Sequence, residues 1–278
     1  MSIRLPEFIV LGAAKAGTTS IYHYLKQHPG IFLPALKELK FFTGGSDKDF
    51  AGYLNHFAPN TEGKLPGEVS SDYLYSGPGT AEIISKYLPD VKLVAILRDP
   101  VDRGFSEYCM DVKNGKVLTD YRTALEGKYK FRYRNQGLYF KQLSNYLAHF
   151  DRSRIKIYFF EDLCADHAAL MKDLFRFIGV SDDVECAGKS NIGYYPRSRR
   201  AQKILQRPNP LRSAARSILG LFMDVEQRQK LRAKFLEANK REKPGLDPAL
   251  RKELISFYKD DILKLQELTG RDLSAWMQ

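Results

Sequence analysis

Cysteine is scarce in this chain and long apolar runs are missing. Cys109, Cys164 and Cys186 are the three cysteines of 278 residues; their odd number, wide spacing and lack of metal-ligand patterning exclude a disulfide framework and fit the reduced thiols of a cytoplasmic protein. No stretch approaches the roughly 20 apolar residues that a membrane-spanning helix needs. The apolar residues 8–14 are too few for a leader, follow Pro6 and Glu7, and run straight into Lys15 and Gly17, so they read as a buried first strand. Internal repeats and long low-complexity linkers are lacking too, which excludes solenoids and repeat arrays.

What is present describes a globular chain: 44% hydrophobic and 28% charged residues, enough for one substantial core. A single domain over 1–278 is expected. FIVLG, IFLP, VKLVAIL and RIKIYFF read as strands, alternating with helical patterns at TTSIYHYLKQH, GTAEIISKYLP, VDRGFSEYCMDV and HAALMKDLFRFIGV. This rhythm predicts an α/β fold of P-loop type, a mainly parallel sheet with helices on both faces and ligands at the carboxyl ends of its strands. The C-terminal region is helical: Asp247 caps, Pro248 fits the first turn, and Leu250, Leu254, Tyr258, Ile262, Leu265 and Leu268 share one stripe up to Gly270.

The net charge of +11 is concentrated. Between Lys189 and Lys243 stand 15 Lys and Arg against four acidic residues, so the remainder of the chain is neutral. Such a segment suits phosphorylated or sulfated ligands, an acidic partner or an anionic membrane surface. It is expected to cover the donor or acceptor site. Residues 181–200 and 205–212 read as loops, and the amphipathic PLRSAARSILGLF permits a weak membrane or carrier-protein contact.

Residues 8–20, FIVLGAAKAGTTS, carry the first chemical signal. Gly12 and Gly17, with four residues between them, have P-loop spacing, so backbone N–H groups and the following helix N-terminus converge on an anion. Yet Thr18 stands where a nucleotide hydrolase has its lysine, and Lys15 lies inside the loop. The second signal is AILRDPVDRGFSEY, residues 95–108. Its strand ends in Arg98, a guanidinium shaped for bidentate phosphate contact, where a Walker-B strand delivers a carboxylate to Mg²⁺. Ser106 follows two helical turns later and is a candidate donor to the same phosphate.

These residues resemble the sulfotransferases that use 3′-phosphoadenylyl sulfate. KAGTTS is similar to that family's 5′-phosphosulfate loop and LRDPVDRGFSEY to its 3′-phosphate segment. PALKELKFF, residues 34–42, GEVSSDYLY, residues 67–75, NQGLYFKQLSNYLAHF and the C-terminal helix resemble the heparan-sulfate and bacterial branches. The resemblance implies that a sulfuryl group moves to a hydroxyl or amine without a required metal, because that group carries less charge than a transferring phosphoryl. It assigns the donor to Lys15, Ala16, Gly17, Thr18, Thr19, Ser20, Arg98 and Ser106, with Arg197 and Ser198 of NIGYYPRSRR as looser contacts and Tyr194 or Tyr195 beside the adenine.

It also assigns the general base to Glu38, with Lys37 and Lys40 as cations that favour its charged form. His23, His28 and His56 sit in no matching motif; His56 is the alternative base. Val69 replaces the lysine that the heparan-sulfate enzymes carry after Gly-Glu, which points to a small-molecule or carrier-bound acceptor rather than a polysaccharide. Phe41, Phe42, Tyr73 and Tyr75 are candidates for its pocket or for the core. Two other classes stay open on the residues alone, a P-loop kinase or nucleotide hydrolase and a non-catalytic polyanion binder; nucleic acid is not expected, since no base-reading element is recognised.

Overall fold

A computed structural model of the chain describes residues 5–44, 49–58, 63–187, 195–206, 225–242 and 244–278. The chain divides into two compact units, one made of 1–103, 136–190 and 255–278, the other of 104–135 and 191–254.

The first unit is built on a parallel sheet of β1 (Phe8–Gly12), β2 (Ile31–Phe32), β3 (Leu65–Val69), β4 (Lys92–Leu97) and β5 (Ile155–Phe159), in the order β2-β3-β1-β4-β5. Phe8, Ile9, Val10 and Leu11 are fully buried, as a central strand covered on both faces requires. Each such side chain contributes about 1.5–3 kcal/mol of burial. β3 escapes the sequence reading because LPGEV carries Pro66, Gly67 and Glu68 in place of an apolar run. Gly67 pairs with Phe8, and a Cβ on it would lie 2.1 Å from the Phe8 ring, so the missing side chain is what lets that ring lie across β3.

Parallel neighbours need crossovers, and these put helices on both faces of the sheet. In chain order the helices are α1 (Thr18–Leu25), α2 (Phe50–Leu54), α3 (Pro78–Tyr87), α4 (Pro100–Lys113), α5 (Tyr121–Glu126), α6 (Lys130–Tyr133), α7 (Tyr139–Leu147), α8 (Phe160–Ala165), α9 (His167–Ile178), α10 (Arg199–Gln206), α11 (Val225–Ala238) and α12 (Pro248–Thr269). Local chemistry sets their ends. The Asp166 carboxylate accepts from Ala169 N at 2.9 Å to start α9, which stops at Gly179 with φ 95°. Asp247 Oδ1 likewise accepts from Ala249 N at 2.9 Å before α12, and Tyr258, Ile262 and Leu265 of that helix are buried. The start of α7 is held from a distance: Phe140 N and Lys141 N donate to the Asp261 carboxylate at 3.0 and 3.1 Å.

The second unit centres on aromatic rings. Tyr108 lies 4.9 Å from Tyr121 and 5.9 Å from Tyr133, centroid to centroid, and its hydroxyl is 3.4 Å from that of Tyr195. β6 (Tyr195–Pro196), inside the 181–200 stretch expected to be a loop, pairs antiparallel with β7 (Lys240–Arg241). Buried Asp111 is balanced by Tyr133 Oη at 3.0 Å, Arg132 Nε at 3.3 Å and Lys116 Nζ at 3.3 Å. Among the described residues, no helix is long and apolar enough to cross a membrane.

Candidate active site

β1 ends at Gly12, and the chain turns through residues 13–17 into α1. Three residues there take left-handed or otherwise positive φ: Gly12 at 147°, Lys15 at 70° and Gly17 at 99°. Gly17 has a second reason to be glycine, since a Cβ would come within 2.7 Å of Leu163 Cδ2 and 3.1 Å of Phe160 Cδ2. The turn is tied down by Ala13 N donating to Ile96 O at 2.7 Å and Ala16 N to Ala13 O at 3.1 Å. Gly17, as N-cap, offers no side chain to the first N–H groups of α1, and no acidic residue occupies its first turn. That leaves a helix N-terminus of positive potential beside a half-buried lysine, an arrangement that favours an anion. Thr18 is buried, Thr19 exposed and Ser20 half-buried.

Arg98 follows β4 directly, as the sequence predicts. Its Nη1 donates to Lys15 O at 3.4 Å, its guanidinium lies 4.6 Å from the Phe160 ring centroid, and its carbonyl accepts from Tyr139 Oη at 2.8 Å. Asp99, the neighbouring carboxylate, is occupied in capping α4: its Oδ1 accepts from Val101 N at 2.8 Å and Asp102 N at 3.2 Å.

Glu38 lies in a loop with positive φ at Glu38 (66°) and Lys40 (57°), two residues without the freedom of glycine. The surroundings hold this strained turn. Glu38 N donates to Val69 O at 3.1 Å, and the Glu38 carboxylate accepts from Ser71 N at 2.8 Å, Ser71 Oγ at 2.9 Å and Lys37 Nζ at 2.9 Å. Lys37 Nζ also donates to Thr19 Oγ1 at 3.4 Å, so one ammonium spans the carboxylate and the helix that starts at the glycine loop. Lys40 departs from expectation: it turns to Asp72 and forms an ion pair there, which leaves Lys37 as the cation on Glu38.

Behind this loop lies a second carboxylate. Glu68 is 1% exposed and accepts from Ser70 Oγ at 2.5 Å, Tyr73 Oη at 2.7 Å and Tyr53 Oη at 2.7 Å. Burial pushes its pKa up and the nearby Glu38 charge adds to this, while the three hydroxyl donors oppose it. The same buried carboxylate and their own burial raise Tyr53 and Tyr73, which stay protonated. Phe42 and Tyr73 are fully buried and belong to this core, whereas Phe41 and Tyr75 are half-buried.

The structure thus brings Lys15, Gly17, Thr18, Thr19, Ser20, Glu38 and Arg98 together in the first unit. Ser106, Arg197 and Ser198 belong to the second. Ser106 is half-buried on α4; Arg197 and Ser198 are exposed, and Ser198 Oγ accepts from Ala201 N at 3.2 Å to cap α10. Tyr195 is fully buried, and Tyr194 lies outside the described residues, as do residues 210–222 of the amphipathic segment. His23 and His56 are exposed, and His28 is buried with its Nε2 2.9 Å from Ser181 O. Sequence reasoning missed Ser71, Glu68 and Phe160, because a loop hydroxyl, a buried acid and a helix-start ring carry no spacing signal. Among the described residues, no group of three or more His, Cys, Asp or Glu could hold a metal ion.

Residues 5–190 match the family model described as the Sulfotransferase domain. The chain is 37% identical over 112 residues to the membrane-associated sulfotransferase kil1 of Dictyostelium discoideum, covering 39% of this chain and 24% of that protein. It is 28% identical over 191 residues to mouse heparan sulfate glucosamine 3-O-sulfotransferase 3A1, covering 64% of this chain and 47% of the relative. It therefore spans about a quarter to a half of the length of these curated relatives. A crystal structure of a sulfotransferase from Alicyclobacillus acidocaldarius superposes with a TM-score of 0.73 at 28% identity, covering 99% of this chain and 100% of the other.

Proposed function

The chain belongs to the sulfotransferase-domain family, and from that premise we propose that it moves a sulfuryl group from 3′-phosphoadenylyl sulfate to a hydroxyl or amine of a small-molecule or carrier-bound acceptor. The donor supplies an activated sulfur–oxygen bond. Lys15 and the N–H groups of residues 17–20 hold its 5′ end, and Arg98 holds the 3′-phosphate, with Ser106, Arg197 and Ser198 as further donor contacts. Glu38 takes the acceptor's proton as the acceptor oxygen or nitrogen bonds to sulfur. Lys15 neutralises the bridging oxygen as the sulfur–oxygen bond breaks and adenosine 3′,5′-bisphosphate departs.

The observation that carries this reading is Lys37, whose ammonium reaches Glu38 Oε1 at 2.9 Å and Thr19 Oγ1 at 3.4 Å. It links the proposed base to the helix at the proposed phosphate loop. The glycine loop fits an anion on its own terms, because α1 starts at Gly17 with no side-chain cap and no acidic residue in its first turn. The kinase or hydrolase reading has less support: Thr18 replaces the lysine after the second glycine, and Asp99 caps α4. A cytoplasmic location and a metal-independent reaction belong to the same proposal.

Thermal unfolding with added nucleotide tests the donor assignment. Adenosine 3′,5′-bisphosphate in the presence of a chelator should raise Tm, by about 2.7 kcal/mol of stabilisation at a hundredfold excess over Kd. Stabilisation by ATP with Mg²⁺ alone would reject it.

A further inference from the structure

Arg98 is a long, half-buried side chain at a strand end, so its guanidinium meets a phosphate in one orientation only if something holds it there. Its bond to Lys15 O is long at 3.4 Å. The other support is the ring of Phe160, over which the guanidinium carbon lies 4.6 Å from the centroid. Strand register explains the meeting. Leu97 of β4 pairs with Phe159 of β5, so Arg98 and Phe160 are the next residues out of two neighbouring strands. The residue next to the ring is held as well, since Glu161 Oε1 accepts from Trp276 Nε1 at 3.2 Å and from Asp99 N at 3.5 Å. On its edge the same ring limits Gly17, where a Cβ would stand 3.1 Å from Phe160 Cδ2.

We propose that Phe160 is a positioning residue for donor selectivity: its ring holds the Arg98 guanidinium in the orientation that binds a 3′-phosphate, and so lets the site discriminate nucleotides that bear this group from those that lack it. The inference rests on the assignment of Arg98 to the donor. A guanidinium on an aromatic face is attracted by the ring quadrupole and keeps its N–H edges free for an anion. An aliphatic side chain of similar volume fills the space without that attraction.

Calorimetric titration of adenosine 3′,5′-bisphosphate and of adenosine 5′-phosphate tests this, with the ratio of the two affinities as readout. Both ligands carry the 5′-phosphate, so general loosening of the glycine loop cancels in the ratio. Phe160→Leu should reduce the preference for the bisphosphate by roughly 2- to 30-fold, Phe160→Tyr should retain it, and Arg98→Ala should abolish most of it. An unchanged ratio in Phe160→Leu beside a collapsed one in Arg98→Ala overturns the role of Phe160 and leaves the donor assignment standing. An unchanged ratio in Arg98→Ala removes the donor assignment and this inference with it. Circular dichroism checks folding, and Phe160→Met gives the same readout if the leucine variant does not fold.

Discussion

Lys15 and Glu38, both assigned to the proposed site, should fail differently when replaced. Lys15→Ala removes the charge proposed to meet the leaving oxygen, and a loss of about 10²–10³ in kcat is the expected scale for a lost electrostatic stabiliser. Glu38→Gln should lower transfer by roughly 10²–10⁴ with the affinity for adenosine 3′,5′-bisphosphate unchanged, because a base faces the acceptor. Turnover with labelled donor and calorimetric titration together separate the two, and normal turnover in Glu38→Gln refutes the base assignment. Glu68, the buried carboxylate behind the loop, calls for a different test. Its pKa is raised by burial, so the folded state favours the protonated acid. The stability it contributes is complete below the ordinary glutamate range and is lost as pH rises through the raised value. Urea midpoints measured across acid to neutral pH should therefore fall more steeply with pH in the native chain than in Glu68→Gln. Parallel slopes would mean that the three hydroxyl donors fully offset burial.

At the scale of elements, legibility follows how a segment earns its burial. β1 is a continuous apolar run, β4 and β5 are apolar runs with one lysine each, and α9 and α12 carry caps and stripes, so each is readable from its own residues. β3 is not, because its strand identity comes from neighbours: Gly67 accepts the Phe8 ring, and Glu68 is satisfied by hydroxyls from Tyr53, Ser70 and Tyr73. The site divides the same way. Lys15 and Arg98 stand at an element's edge in motifs of fixed spacing, whereas Ser71 reaches Glu38 across 33 positions that no local pattern reveals. The start of α7 is another non-local feature. Asp261 is drawn toward its neutral form by burial, while the N–H groups of Lys141 and Phe140 pull the other way. Asp261→Ala leaves those N–H groups without an acceptor and should cost about 1–2 kcal/mol, measurable by urea unfolding; a change within error would show that water replaces the carboxylate.

Across the whole molecule charge is partitioned by unit. The residues of the second unit include 23 Lys and Arg against 10 Asp and Glu, so the rest of the chain is slightly acidic although the sum is +11. The concentration of charge between Lys189 and Lys243 was readable from the sequence; the inclusion of 104–135 in the same unit was not, because nothing in those residues announces their distant partners. Those partners are specific: Tyr108 meets Tyr195 and Arg199, and Arg122 pairs with Glu253 at 2.9 Å. This interleaving decides how the chain can be inherited or engineered. The second unit is supplied in two lengths separated by 136–190, so one cut anywhere between them parts its shorter stretch from its longer one. A fragment ending at residue 190, where the family match stops, keeps Tyr108 and Arg122 but discards Tyr195, Arg199 and Glu253, which they meet. Such a fragment should expose aromatic surface, bind a hydrophobic dye and fail to unfold cooperatively, and a sharp transition in calorimetry would disprove this. The end of the family match is therefore not the edge of a self-sufficient piece, and a graft or recombination event that respects the first will still break the second.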